Sequence, residues 1–151
     1  MIEKYVVSLD LAEKLKEAGW EKEIVYWWVK TQRGIRLEAI RYVELYPKQS
    51  YGIIWLDDAG KEEFMPLAPA PLAEEILEEL PKYIYEHVEG ERKTYYLTVK
   101  IDKNGYSIGY SDELTEWLYL FTLFDQLSNA AAQVWLWLKE HGYLEEEDEQ
   151  V

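Results

Sequence analysis

The sequence contains no cysteine and only two histidines, which limits the chemistry that its side chains can perform. Without cysteine there is no disulfide framework, thiolate zinc site or cysteine nucleophile, and this composition is typical of a reducing cytoplasm. Neither His87 nor His141 lies at helical spacing from a carboxylate pair of the kind that zinc proteases use. His141 follows the predicted last helix and is expected to cap its C-terminus. We therefore expect no catalytic residue, no metal site and no cofactor.

Long apolar runs and positive charge are also scarce. The longest uncharged run of large apolar residues, 117–124, is far shorter than the roughly 20 residues of a membrane helix. Residues 1–14 lack an apolar segment of signal-peptide length. With 16 basic and 30 acidic residues, the net charge of -14 repels phosphate backbones and anionic lipid. The sequence predicts a cytoplasmic protein that binds neither nucleic acid nor membranes directly.

The content of apolar residues, in contrast, is high. Hydrophobic residues make up 48% of the chain and aromatic residues 15%, more than an intrinsically disordered protein carries. A length of 151 residues is usual for one hydrophobic core. We predict a single domain over 1–144, followed by a disordered acidic tail over 145–151 that begins EEEDE.

The pattern of apolar residues predicts the element order α-β-β-β-α-β-β-α. These elements are a helix between Ser8 and Gly19, strands over 23–31, 35–45 and 51–56, a helix between Pro71 and Pro81, strands over 94–101 and 106–110, and a helix over 125–140. The segment MPLAPAP, 65–71, predicts a rigid connection because proline lacks an amide donor. Strand 23–31 is apolar on both faces, as in a sheet covered on both sides. The predicted fold class is α+β, with a mixed or antiparallel sheet of about five strands in an α-β-α sandwich.

The predicted last helix is apolar nearly all round. From 130 to 138 only Gln133 is polar, so more than one side of the helix must be covered. Either the fold buries this helix centrally or a second copy of the chain covers it. The second alternative predicts a homodimer through the last helix.

Three segments of the chain resemble small uncharacterised proteins encoded by bacteriophages and prophages. They read SLDLAEKLKEAGWEKEIVYWW, APLAEEILEELPKYI and LSNAAAQVWLWLKEHGYL, and together they span much of the chain. The resemblance rests on packing patterns and contains no active-site motif to transfer. It implies a phage or prophage origin, a bacterial host cytoplasm and an α-β-α sandwich.

The helix between Pro71 and Pro81 carries the first candidate site, an acidic face. Its members are Glu74, Glu75, Glu78 and Glu79. Like charges four residues apart repel each other, so a helix that is merely solvated usually mixes charges of both signs. Such a face resembles a nucleic-acid backbone and would suit a basic surface of a host protein, including a defence protein. This pattern predicts a non-enzymatic inhibitor or adaptor, although a solvated surface explains it as well.

The second candidate site combines arginines with aromatic rings. Its members are Tyr26, Trp28, Arg33, Arg36 and Tyr42. Guanidinium groups bind phosphates and aromatic rings stack on bases, so this set predicts a nucleotide ligand, such as a signal of host immunity that the protein sequesters. An ordinary hairpin with charges at its solvent edge is the alternative interpretation. An enzyme whose site the sequence conceals is the third possibility.

Overall fold

The structure is a computed structural model, and it describes residues 2–39, 43–45, 52–56, 60–103, 105–112, 117–123 and 126–144. Runs of consecutive strands are separated by helices along the chain, which is an α+β arrangement. The contacts of the chain group into two compact units, Met1–Glu75 and Ile76–Val151. No helix in the described part of the chain is long and apolar enough to cross a membrane. The predicted acidic tail lies outside the described residues.

The first unit combines one helix and one sheet. After a 3₁₀ helix at Ile2–Lys4 come α1 (Leu9–Glu17), β1 (Tyr26–Thr31), β2 (Gly34–Ala39), β3 (Val43–Leu45), β4 (Gly52–Leu56) and β5 (Gly60–Pro69). The strands form an antiparallel sheet in the order β2-β1-β5-β4-β3. Helix α1 packs against β5 and buries Leu11, Ala12 and Leu15, the positions that helical periodicity assigns to its apolar face.

Both ends of α1 lie where the sequence predicted them, and hydrogen bonds at the C-terminal end show how that end is formed. Ser8 is the N-cap residue, and Gly19 follows the C-cap with φ of +96°. The Gly19 amide donates to the carbonyl of Lys16 at 3.1 Å, and the Trp20 amide donates to the carbonyl of Leu15 at 2.9 Å. These two bonds form a Schellman motif, which requires a left-handed residue that glycine supplies at low cost. The motif carries Trp20 directly into the core, where it is buried.

The proline-containing segment is a strand, which corrects the prediction of a connection without a ladder. Strand β5 continues to Pro69, and Trp27 lies opposite Pro69 while Val29 lies opposite Pro66. The pairing of β5 with β4 covers only Gly60–Phe64. Beyond that point, β1 is the only strand of the described residues that pairs with β5. A strand with a single neighbour tolerates residues that lack an amide donor. The pairing of β1 with β5 is irregular at one point, because its register shifts between Trp28 and Val29.

The second unit also combines one sheet with one long helix. It contains β6 (Tyr83–Val88), β7 (Glu91–Asp102), β8 (Gly105–Ser111), β9 (Trp117–Leu123) and α3 (Leu127–Glu140). The four strands form an antiparallel sheet in the order β6-β7-β8-β9. A short helix, α2 (Ala73–Leu77), lies where one unit ends and the other begins along the chain.

Helix α3 packs against β8 and β9. Its buried residues are Ser128, Ala130, Ala131, Ala132, Val134, Trp135 and Leu138. The apolar surface that suggested a homodimer is therefore largely covered within one chain. A dimer through α3 stays a prediction, but the exposed apolar area that motivated it is small.

The fold class and the order of helical and strand segments are confirmed. The sheet differs from the prediction, because the strands of the described ranges form two antiparallel sheets where one sheet of about five strands was expected. Each sheet has a helix packed against it, α1 on β5 in the first unit and α3 on β8 and β9 in the second. The period of apolar residues identifies a strand but not its partners, since pairing depends on contacts between distant segments.

Candidate functional site

The predicted acidic face is shorter than the sequence suggested. Helix α2 ends at Leu77, so Glu78 and Glu79 lie in the turn that follows. Glu74 and Glu78 are exposed, whereas Glu75 and Glu79 are half-buried. The structure therefore presents two of the four carboxylates fully to solvent.

The carboxylate of Glu75 is used inside the first unit. Its Oε1 accepts a hydrogen bond from the backbone amide of Leu72 at 2.7 Å, and its Oε2 accepts one from the amide of Val25 at 3.1 Å. The first bond is the return half of a capping box, in which a glutamate at the third helical position satisfies the amide that precedes the helix. The second bond ties the start of α2 to the segment before β1. Glu75 thus stabilises the first unit by accepting two backbone hydrogen bonds, whereas the sequence suggested a solvent-exposed carboxylate.

The register of β1 and β2 separates the arginine from the aromatic rings of the second candidate site. Trp28 lies opposite Leu37, and Val29 lies opposite Arg36. Paired residues share a face of the sheet, and neighbours along a strand point to opposite faces. Arg36 therefore lies on the face of Val29, while Trp28 and Tyr26 lie on the other face. Tyr42 lies outside the described residues.

Two members of the second candidate site, Trp28 and Arg36, also have polar partners within the chain. The indole N–H of Trp28 donates to the carbonyl of Val7 at 2.9 Å. The guanidinium Nε of Arg36 lies 2.7 Å from Oε1 of Glu38, in a half-buried ion pair on one face of β2. Arg33 is exposed in the turn between β1 and β2. Among the described members, Tyr26, Trp28, Arg33 and Arg36 do not come together on one face as a nucleotide pocket.

A different surface stands out on the sheet of the second unit, and we call it the tyrosine face. Tyr83 pairs with Tyr96 across β6 and β7, and Tyr85 follows two positions along β6 on the same side. The three side chains are 50%, 44% and 40% exposed for Tyr83, Tyr96 and Tyr85. The intervening Ile84 and Tyr95 point to the opposite side and are buried. At these positions the strands therefore bury Ile84 and Tyr95 on one face and expose the three tyrosines on the other.

The side chains of the tyrosine face contact one another. The rings of Tyr83 and Tyr85 meet edge to face, with centroids 5.3 Å apart. The guanidinium carbon of Arg92 lies 4.3 Å from the centroid of the Tyr85 ring, a cation–π geometry. A side-chain hydrogen bond with Tyr83 raises the pKa of the Tyr85 hydroxyl above its usual range. These contacts pre-order two tyrosines and an arginine at the surface.

The charge of the tyrosine face is opposite in sign to that of the whole chain. The strand positions that share this face include Arg92 and Lys100, and Asp102 follows two positions after Lys100 at the end of β7. At the rim of the face, the Thr98 and Ser111 hydroxyls are 2.9 Å apart and hydrogen-bonded to each other. The face thus combines rings, hydroxyls and two cations in a protein of net charge -14.

The sequence did not reveal this face, because residues 83–88 were not predicted to form a strand. The predicted strand over 94–101 lies within β7, but Val99 and Ile101, on the same side as buried Tyr95, are exposed. The alternation of Tyr83, Ile84 and Tyr85 has the period of a half-buried strand and would have predicted β6, on which this face depends.

The two histidines are both exposed and lie in the second unit. His141 is the C-cap of α3, which confirms its predicted position, and its Nδ1 lies 2.8 Å from the carbonyl oxygen of Trp137. Its ring stacks on the Trp137 indole with centroids 4.2 Å apart, and Tyr119 stacks on the same indole at 4.5 Å. Among the residues that the structure describes, no three histidine, aspartate or glutamate side chains gather as metal ligands.

Comparison with known proteins leaves the sequence and the geometry as the evidence for function. No family model matches the chain. No curated protein and no solved structure is significantly similar to it. The resemblance to phage-encoded proteins stays a prediction from the sequence.

Proposed function

We propose that this chain is a non-enzymatic binding protein that docks a partner protein through the tyrosine face. The observation that carries the proposal is the exposure of Tyr83, Tyr85 and Tyr96 side by side on one face of a sheet. Contiguous exposed rings are uncommon on monomeric soluble proteins and mark interaction surfaces. Tyrosine and arginine are also the residues that most often supply the binding energy of protein interfaces.

The charges of the face define the chemistry of the partner. Arg92 and Lys100 would meet carboxylates, so the contacting surface of the partner is acidic there. This differs from the partner predicted from the acidic helix, which carries a basic surface. The resemblance to phage-encoded proteins favours a host protein as the partner, and an inhibitor or adaptor as the role.

The nucleic-acid mimic is the competing binding proposal. It rests on the net charge of -14 and on the exposed carboxylates Glu74 and Glu78. The internal hydrogen bonds of Glu75 weaken its support, because a carboxylate that holds two backbone amides is less available to a partner. The two proposals make opposite predictions for substitutions on the two surfaces.

The test compares affinity capture from bacterial lysate by three variants and the wild-type protein, with bound proteins quantified by mass spectrometry. One variant combines Tyr83→Ser and Tyr96→Ser, one combines Glu74→Gln and Glu78→Gln, and a control carries Tyr5→Ser, an exposed tyrosine of the first unit. We expect the tyrosine-face variant to lose a partner that the other two retain. With that partner purified, its Kd should rise by about tenfold or more, which corresponds to about 1.4 kcal/mol.

Two outcomes would overturn the proposal. Capture that the Tyr83/Tyr96 variant leaves unchanged would show that the tyrosine face is not the interface. Loss of the partner only in the Glu74/Glu78 variant would favour the acidic mimic in its place. Circular dichroism of each variant verifies that a lost interaction does not come from unfolding.

A further inference from the structure

A cavity in the first unit has the composition of a small-molecule site. It has a volume of about 610 Å³ and lies at the junction of α1, the segment that follows it, β1 and β5. Its apolar lining consists of Trp20, Trp27, Pro66 and Pro69. Clefts of about 300–1,000 Å³ with mainly apolar and aromatic walls are the usual binding sites for small ligands.

The walls of this cavity are held in place by features already described. The Schellman motif at the end of α1 sets the position of Trp20, and the pairing of Trp27 with Pro69 sets the opposite wall. The ammonium group of Lys16, a lining residue, donates to the carbonyl of Leu67 at 3.1 Å and so joins α1 to β5. Proline rings add stiffness because they have few rotatable bonds. A cavity with such walls binds a ligand at a low cost in conformational entropy.

The charged residues that line the cavity give it a net positive charge. Lys16 and Lys22 contribute two positive charges to its lining and Glu21 contributes one negative charge. The local balance is thus positive in a chain of net charge -14. Tryptophan rings stack on planar ligands, and ammonium groups bind carboxylates or phosphates.

We propose that this cavity binds a small ligand that joins a planar aromatic ring to one anionic group. The ring lies against Trp20 and Trp27, and the anion lies at Lys22 and Lys16. The site is separate from the tyrosine face and adds a ligand to the protein-binding function. It also differs from the nucleotide site predicted from the sequence, since Tyr26, Trp28, Arg33 and Arg36 do not line it.

Calorimetry on the 151-residue chain tests the proposal with two matched pairs of probes. 2-Naphthoate is compared with the neutral 2-naphthamide, and adenosine monophosphate with adenosine. We expect at least one of the two anions to bind one-to-one and about tenfold tighter than its neutral counterpart. The two pairs also distinguish a carboxylate ligand from a nucleotide.

Lysine variants locate the binding. Lys22 is exposed, so Lys22→Gln should leave the fold intact and weaken binding of the anion about three- to fivefold. Lys14→Gln is the matched control, because Lys14 is an exposed residue of α1 that does not line the cavity. Affinity for the neutral probe should not change in either variant.

Three results would overturn the proposal. They are the absence of heat for both anions at about 1 mM, equal affinity for the anionic and neutral members of both pairs, and equal effects of the Lys22 and Lys14 substitutions. The variant with Tyr83→Ser and Tyr96→Ser should bind the probes as the wild type does. Failure of the ligand test and failure of the partner test are therefore distinguishable.

Discussion

Trp27 and Trp28 are adjacent, half-buried residues of β1, and they differ in what their indole N–H groups do. The N–H of Trp28 donates to the carbonyl of Val7, which is fully buried, at 2.9 Å. The N–H of Trp27 is buried and finds no acceptor among the residues that the structure describes. Substitution of each tryptophan by phenylalanine removes a similar ring area and one N–H donor. The pair therefore isolates the contribution of the hydrogen bond.

Trp28→Phe should reduce the free energy of unfolding more than Trp27→Phe does. Loss of the Trp28 donor leaves the buried Val7 carbonyl without this partner, which costs about 1–3 kcal/mol. Trp27→Phe removes a donor that was already unsatisfied, so it carries no such penalty. We expect the two variants to differ by about 2 kcal/mol, within a range of about 1–3 kcal/mol.

The measurement is urea unfolding followed by far-ultraviolet circular dichroism, because tryptophan fluorescence changes in both variants. Comparison of midpoints at an unchanged m-value gives the difference in stability. Equal destabilisation of the two variants, or a larger loss for Trp27→Phe, would refute the assignment of the hydrogen bond.

Three further substitutions test other parts of the fold. Gly19→Ala should lower the free energy of unfolding, measured in urea, by about 1–2 kcal/mol. The φ of +96° at this position strains any L-residue, although no atom lies within 4 Å of the added Cβ. An unchanged stability would contradict the Schellman motif. Glu75→Ala should lower the free energy of unfolding by about 2–3 kcal/mol, because two backbone amides lose their acceptor. Substitution of the exposed Glu74 by alanine should change it by less than about 0.5 kcal/mol. Equal effects of the two substitutions would contradict the hydrogen bonds of Glu75. Tyr110→Phe tests pH dependence: burial raises the pKa of this hydroxyl, which donates to the Pro81 carbonyl at 2.6 Å, above the usual value of 10.0. The folded state then retains a proton that the unfolded state releases, so this contribution to stability is complete below pH 10 and falls by up to about 1.4 kcal/mol per pH unit above it. The advantage of the wild type over Tyr110→Phe in urea unfolding should accordingly shrink between pH 9 and pH 11, and a constant difference would contradict the assignment.

Sequence signals that act within one or two turns of chain were reliable. Ser8 and Gly19 predicted the ends of α1, and His141 predicted the end of α3, because capping depends on residues within a few positions of the helix end. The hairpin between β7 and β8 followed from the residue pair Asn104-Gly105, a sequence that favours tight hairpin turns. The ends of these helices and the position of this turn could therefore be predicted without knowledge of the fold.

The candidate sites were less predictable. The four glutamates after Pro71 looked equivalent in sequence, but one of them bonds to the amide of Val25, 50 positions away. Arg36 and Trp28 looked like neighbours in a ligand site, and the register of β1 and β2 places them on opposite faces. The tyrosine face needed β6 to be recognised as a strand and paired with β7.

The sequence by itself determined the α+β class, the positions of both ends of α1, the C-terminal end of α3 and the strand character of 26–31 and 94–101, because these follow from the local geometry of the backbone and the spacing of apolar side chains. It also showed that the rings of Trp27 and Trp28 point to opposite faces of β1. Only the tertiary structure decided that the strands divide between two sheets, that Trp28 bonds to a carbonyl 21 positions away and that Trp27 lines a cavity. The physical reason is that pairing, burial and hydrogen bonding between distant segments depend on the free energy of the whole packed chain, which no short window of residues contains.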